Sequence, residues 1–370
     1  MDGKDGGEER HVRRKRYRGS HPRAFSEKYK ERDPERYRED VERVLARGDT
    51  PAGSHRSICV KEILAALAPG PGEIAIDATL GHGGHAREIL RAILPGGRLY
   101  GFDVDPIELA KTAAAFASEG LPEGAFIPVH ANFAILGEVL ANADLAGVDL
   151  FLADLGVSSM QLDDPDRGFS FKRRGPLDMR MDPGSGRSAR EYLAGVPEER
   201  LREILAANAD EEGAGPIARA VCRRRGSLST TRDLTEAICS AFPGLEYKDP
   251  AMTRILRRSF QAIRIEVNGE FAALEALLAA LPSCLKPGAR AAILSFHSGE
   301  DRRVEAAFAE GLGRGLYSAV SAEAQRPSRE EQYANPRSSS AKLRWAIRAV
   351  VPGAEKSRRP PGPEEPASHA

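Results

Sequence analysis

The 370-residue chain balances 54 lysines and arginines against 54 aspartates and glutamates. That length allows a large core and two or three structural units, while the zero net charge leaves any signal for a polyanionic partner to local patches. Cys59, Cys222, Cys239 and Cys284 show no Cys-x-x-Cys spacing, which excludes a zinc ribbon or a disulfide frame. No apolar run reaches the roughly 18 residues of a membrane span and residues 1–50 lack a signal-peptide centre, so the expectation is a soluble, cytoplasmic protein with no membrane partner.

Residues 1–54 read as a basic extension. Every charged side chain from Arg10 to Ala24 is positive, and Tyr17, His21 and Phe25 are interleaved, a composition that suits RNA phosphates and bases and equally suits a solvated tail. The alternating charges of Asp33 to Arg47 suggest one short helix. Apolar spacing predicts a helix over Ser57 to Ala68, a strand over Glu73 to Asp77, a helix from Ala86 to Ile93, and a strand over Arg98 to Asp103. A helix over Leu109 to Phe116 and strands over Phe126 to His130 and Val148 to Asp154 follow, the alternation expected of a doubly wound parallel sheet. From Asp163 to Val267 the strand signal stops. Arg190 to Leu193, Glu198 to Ala207, Ile217 to Arg225 and Thr231 to Ala241 have helical periodicity, the last capped by Thr230 or Thr231. A long apolar helix, Phe271 to Leu285, turns at Lys286 to Gly288 into a late strand, Arg290 to Phe296. These elements divide the chain into a discontinuous core, 55–165 and 268–350, an inserted helical domain, 166–267, and a disordered tail, 351–370.

Three constellations carry chemistry. The turn Asp77-Ala-Thr-Leu-Gly81-His82-Gly83-Gly84-His85 joins a strand to a helix, where glycines admit a ligand and helix N–H groups meet it; it has neither the Lys-Ser of a phosphate loop nor dinucleotide Gly-x-Gly-x-x-Gly spacing. Asp103 ends the next strand, where a carboxylate accepts from ribose hydroxyls. Together they indicate an adenosine ligand without separating a nicotinamide cofactor from S-adenosylmethionine. Third, Asp154-Leu-Gly-Val-Ser158-Ser159 closes the strand beside the cofactor's reactive end. A lone capping Asp in a surface loop is the plain reading, but capping requires no long patterned tail. An acceptor-rich turn there would take protons from a base amine and localise its lone pair, so that alignment with a sulfonium methyl suffices without a metal or covalent nucleophile.

The segments GHGGHA, GFDVDP, LADLGVSSMQLDDPDRGFSF, GPLDMRMD, FQAIRIEVN, SFHSGEDR and NPRSSSAKLR, in that order from about His55 to Arg348, resemble the signatures of the ribosomal small-subunit RNA (cytosine-N4)-methyltransferase family, known as RsmH or MraW. The resemblance implies a Rossmann-like class I S-adenosylmethionine methyltransferase sheet with an inserted all-helical domain. It implies N4-methylation of a cytidine in the decoding centre of 16S ribosomal RNA within the small ribosomal subunit. It places the cofactor on Gly83, Gly84, His85, Asp103, Phe133, Asp154 and Gln161, and no metal. Asp154, Ser158, Ser159 and His297 are the expected catalytic set, with His297 and Ser298 lining the base pocket.

Basic clusters at Lys172 to Arg174, Arg223 to Arg225, Arg254 to Arg264 and Arg337 to Arg348 are expected to touch RNA phosphates, and the target base must be single-stranded or flipped. The chain departs from the family pattern at Met160, Asp210, Asp249, Gly299 and Ser339. Those departures motivate an alternative, a non-catalytic ribosome-assembly factor that binds RNA with the same fold. A nicotinamide-dependent oxidoreductase fits the glycine turn and Asp103 alone. The sequence leaves a homodimer open.

Overall fold

A computed structural model describes residues 57–350; the basic extension, its short helix and the tail after Pro352 lie outside them. Seven strands form one sheet in the order β3-β2-β1-β4-β5-β7-β6. They are β1 (Ile74–Asp77), β2 (Arg98–Asp103), β3 (Phe126–His130), β4 (Val148–Asp154), β5 (Leu285–Ser295), β6 (Tyr317–Val320) and β7 (Lys342–Arg348). The first five are parallel. At the far edge β7 runs antiparallel to both β5 and β6.

Period-two alternation sends the strands' side chains to two apolar layers. Ala75, Leu99, Leu150, Leu152 and Leu294 face α1 (Val60–Leu67), α2 (Gly84–Ile93) and α3 (Pro106–Ser118) through Ile63, Ile89, Leu109 and Phe116. Ile76, Phe102, Phe151 and Ile293 face α4 (Leu136–Asn142), α11 (Glu270–Cys284) and α12 (Ser298–Gly313) through Leu136, Leu277 and Phe308. The turn expected at Lys286 to Gly288 is absorbed into β5: Leu285 already pairs with Val148, and the register shifts before Leu150 meets Arg290.

Between β4 and α11 the chain builds a third core. After α5 (Ser159–Asp163), helices α6 (Ala189–Gly195), α7 (Glu198–Ala209), α8 (Ala214–Arg223), α9 (Thr231–Cys239) and α10 (Pro250–Asn268) enclose Leu193, Leu205, Ile217, Leu234, Leu256 and Phe260. Thr230 caps α9 with a reciprocal Asp233 bond. Helix α10 had no expected counterpart, although Met252, Leu256, Phe260 and Ile263 recur on its buried face; the arginines between them dilute the apolar period.

In the stretch 163–182 the backbone makes two very close approaches. A Cβ on Gly168 would sit 2.3 Å from the Pro176 carbonyl oxygen, and one on Gly175 1.7 Å from that of Pro165. Two chain segments therefore cross at a separation only glycine allows. Gly175→Ala is expected to cost about 3 kcal/mol in urea-monitored unfolding, against less than about 1 kcal/mol for Gly195→Ala, which has nothing within 4 Å of the added carbon.

Candidate active site

The C-terminal ends of β1, β2, β4 and β5 share one edge, and strand order reverses between β1 and β4, where an open α/β sheet forms its ligand crevice. Asp77 ends β1 fully buried and accepts the Thr79 N–H at 3.1 Å. Thr79 Oγ1 accepts the Asp154 N–H at 2.6 Å, which stitches the glycine turn to β4. Gly81, at φ +49°, has nothing closer than 3.9 Å to an added Cβ, so its backbone is open to close approach. Gly83 is glycine for another reason, since a Cβ there would lie 2.6 Å from Phe116 Cζ. Gly84 opens α2, which has no side-chain cap; its first-turn N–H groups are left for solvent or a ligand.

Asp103 accepts the Gly81 N–H on Oδ2 and the Asp105 N–H on Oδ1, both at 2.8 Å. Burial raises its pKa to about 6 against the pull of those two N–H groups. Each oxygen keeps a second lone pair for an incoming hydroxyl. Phe133 follows β3 in a short 3₁₀ turn, three residues past His130, the register partner of Asp103. It packs partly against the sheet's core.

Asp105 is not among the expected site residues, yet it joins several parts of the site. Oδ1 caps α3 by accepting from Ile107. Oδ2 accepts Gln161 Nε2 at 3.0 Å and Arg167 Nη1 at 2.6 Å. Burial alone would raise its pKa, but Arg167 and Gln161 hold it below the usual carboxylate range. Gln161 Oε1 accepts the Ser158 N–H in a capping box in which Ser158 Oγ accepts from Gln161 N. Thus Gln161, expected at the cofactor, fastens the turn after β4 to the turn after β2, and Ser158 serves that turn as its cap. Ser159 stands in the first position of α5, where its carbonyl meets Arg337 at 3.5 Å.

Asp154 is partly open to the cleft, but its Oδ1 is buried without a hydrogen-bond partner among the described residues. Burial and then Glu300 push its pKa up to about 7. His85 lies with Nδ1 3.7 Å from Asp154 Oδ2. His297, expected to act in catalysis, instead caps α12: Nδ1 accepts the Glu300 N–H at 3.3 Å and Nε2 lies 3.2 Å from Glu300 Oε1. Both ring nitrogens therefore face Glu300, a buried carboxylate that sequence reasoning missed. Ser298 Oγ donates to Asp210 at 3.0 Å.

The departures from the family pattern acquire local reasons. Asp210 adopts the left-handed conformation at the end of α7 and pairs with Arg302. A side chain on Gly299 would strike Phe271, its Cβ 2.6 Å from Cζ. Asp249 caps α10 through the Ala251 N–H, Met160 is buried, and Ser339 Oγ donates to the Pro336 carbonyl. In the C-terminal basic cluster Lys342 and Arg344 both pair with buried Asp301 and Arg337 pairs with Asp163; in the Arg254 to Arg264 cluster Arg264 pairs with Glu270. A cavity of about 580 Å³ lies in the helical insertion, lined by Glu211, Phe242, Arg254 and Arg258 among others; none of its lining residues belongs to the strand-end row.

Arg167→Ala leaves Asp105 buried without its cation. An expected loss of about 3 kcal/mol in chemical unfolding compares with under about 1 kcal/mol for Glu310→Gln, whose partner Arg314 is exposed.

The family model described as the MraW methylase family matches residues 52–349. The chain is 47% identical over 345 residues to Ribosomal RNA small subunit methyltransferase H 1 of Lachnoclostridium phytofermentans, covering 92% of this chain and 93% of that one. It is 44% identical to the protein of the same description from Agathobacter rectalis, covering 92% and 99%. A solved structure of a putative rRNA-methylase from Clostridium thermocellum aligns with 80% of this chain and 98% of that one, at 11% identity and a TM-score of 0.37, too low to add to what the strand order says. The chain belongs to the MraW methylase family.

Proposed function

We propose that the protein transfers a methyl group from S-adenosylmethionine to the N4 amine of a cytidine in the decoding centre, the P site, of 16S ribosomal RNA within the small subunit. One observation carries this reading: a partly open carboxylate, Asp154, at the end of β4, with a buried oxygen that has no hydrogen-bond partner among the described residues, beside the crevice walled by the Gly81 turn and Asp103. The names of the relatives, which specify small-subunit ribosomal RNA, support the substrate class.

The donor set fits the cofactor. Asp103 would accept from the ribose hydroxyls, Phe133 would border the adenine, and the backbone of Gly81 to His85 would run along the methionine portion. S-adenosylmethionine supplies a methyl group activated by its sulfonium. What the chain adds is alignment and a proton acceptor. Asp154 accepts a hydrogen bond from the base amine, which localises the nitrogen lone pair otherwise shared with the ring. Thr79 and the Asp105–Gln161 bond fix that carboxylate's strand end and the turn behind it.

Exposed Lys172, Arg174, Arg223, Arg224, Arg254 and Arg257 give the insertion a cationic surface for phosphates. A base amine reaches Asp154 only when unstacked. The non-catalytic alternative loses its motive, since Asp210, Asp249 and Gly299 all serve local structure.

The test incubates the protein with labelled S-adenosylmethionine and small subunits lacking the modification, then maps the product by mass spectrometry. N4-methylcytidine is expected; cofactor binding with no transfer would mark an RNA-binding factor instead. Asp154→Ala should lower kcat at least about 100-fold. Because Asp154 works ionised and its pKa is raised to about 7, kcat should climb as pH rises from 6 to 8. A flat profile over that range would remove Asp154 as the acceptor.

A further inference from the structure

We infer that His85 receives, through Asp154, the proton released when the amine is methylated; the inference rests on the amine-methylation reading above. The imidazole is buried at the start of α2, 7% exposed, and its Nε2 lies 2.9 Å from the Ile58 carbonyl oxygen. A carbonyl only accepts, so Nε2 carries a hydrogen and Nδ1 is the nitrogen whose protonation can change. Nδ1 faces Asp154 Oδ2 at 3.7 Å, a separation that tightens readily in a substrate complex. The Ile58 carbonyl is itself held in place, because the next residue, Cys59, donates its N–H to Glu331 at 2.9 Å.

Acidic side chains from several elements lie around this pair. Asp77 from β1, fully buried, interacts with His85, with Asp154 and with Asp103 from β2. Glu300 from α12 acts on Asp154. Glu62 from α1 and Glu331 from α13 (Arg329–Ala334) surround Cys59, which also senses Asp154. Glu300 is in turn paired with His297 and Arg264, so the carboxylates that act on the ring itself are Asp77 and Asp154.

The step balances as follows. The amine lone pair forms the nitrogen–carbon bond while the sulfur–carbon bond breaks and its electron pair stays on sulfur. The nitrogen, now cationic, keeps its N–H bonding pair as the proton passes to the Asp154 carboxylate. Asp154 hands that proton from Oδ2 to His85 Nδ1, and the imidazolium releases it to solvent after product leaves. His85 acts through Asp154 and is a positioning residue, with no contact to the reacting atoms.

Nitrogen-15 NMR of the full chain labelled at histidine tests the arrangement without turnover, His85 being assigned from its loss in His85→Gln. Nε2 is expected to stay protonated while Nδ1 titrates, and Asp154→Asn is expected to lower that titration by about one pH unit, since it removes an anion. A deprotonated Nε2, or no response to Asp154→Asn, would overturn the inference. In turnover, His85→Gln still offers Ile58 a donor. Its kcat should fall about 100-fold with an altered acid limb, whereas wild-type kcat and pH profile would also overturn it. Absence of N4-methylcytidine from the wild-type reaction would sink the amine reading instead, and the NMR titration would still report on the His85–Asp154 pair.

Discussion

The buried carboxylate of Asp105 is the constraint on which the site depends. It caps α3, takes Gln161 from the turn after β4, and takes Arg167 from the approach to the helical insertion. Arg167 in turn donates to the carbonyls of Arg180 and Met181, so one ion pair couples the ribose-side strand end, the reactive turn and the insertion's first crossing. In a dry setting such a group is tolerable only if every lone pair is used, and Asp105 meets that condition. Its neighbour Asp103 does not, and keeps lone pairs free at the crevice.

The same economy separates working from structural polar groups along the strand ends. His297 Nδ1 takes the Glu300 N–H, and burial of Glu300 is offset by His297, the Phe296 N–H and Arg264, which hold its carboxyl below the usual range. Asp154 lacks such partners and drifts the opposite way. Two carboxylates, one ending β4 and one in the first turn of α12, are thereby pushed apart in acidity, and the one left under-bonded faces the cleft.

Much of this was legible in the chain. The bounds of β2, β3 and β4 follow from apolar alternation ended by Gly, Pro or Asp, and the residues 81–85, 103 and 154 do meet at one edge because consecutive parallel strands deliver their ends there. The roles within that edge were less legible. Ser158, Gln161 and His297 have the right chemistry for a reaction, but their hydrogen bonds are spent on caps, which depends on rotamers and not on residue type. Asp105 and Arg167 lie 62 residues apart, a separation no local pattern reports. Strand β7 hid within a basic cluster because its cations, Lys342 and Arg344, turn inward to Asp301.

Helix α10 has a mechanical consequence. Its 19 residues make a rod of about 28 Å that starts in the insertion's core and ends at Gly269, left-handed at φ +61°, where α11 of the sheet layer begins. Asn268 pins that end by bonding Met179 and Met181 of the crossing segment. Together with the Arg167–Asp105 and Arg264–Glu270 pairs that amide holds one end of the rod, and a tilt of about 10° there would carry the far tip about 5 Å.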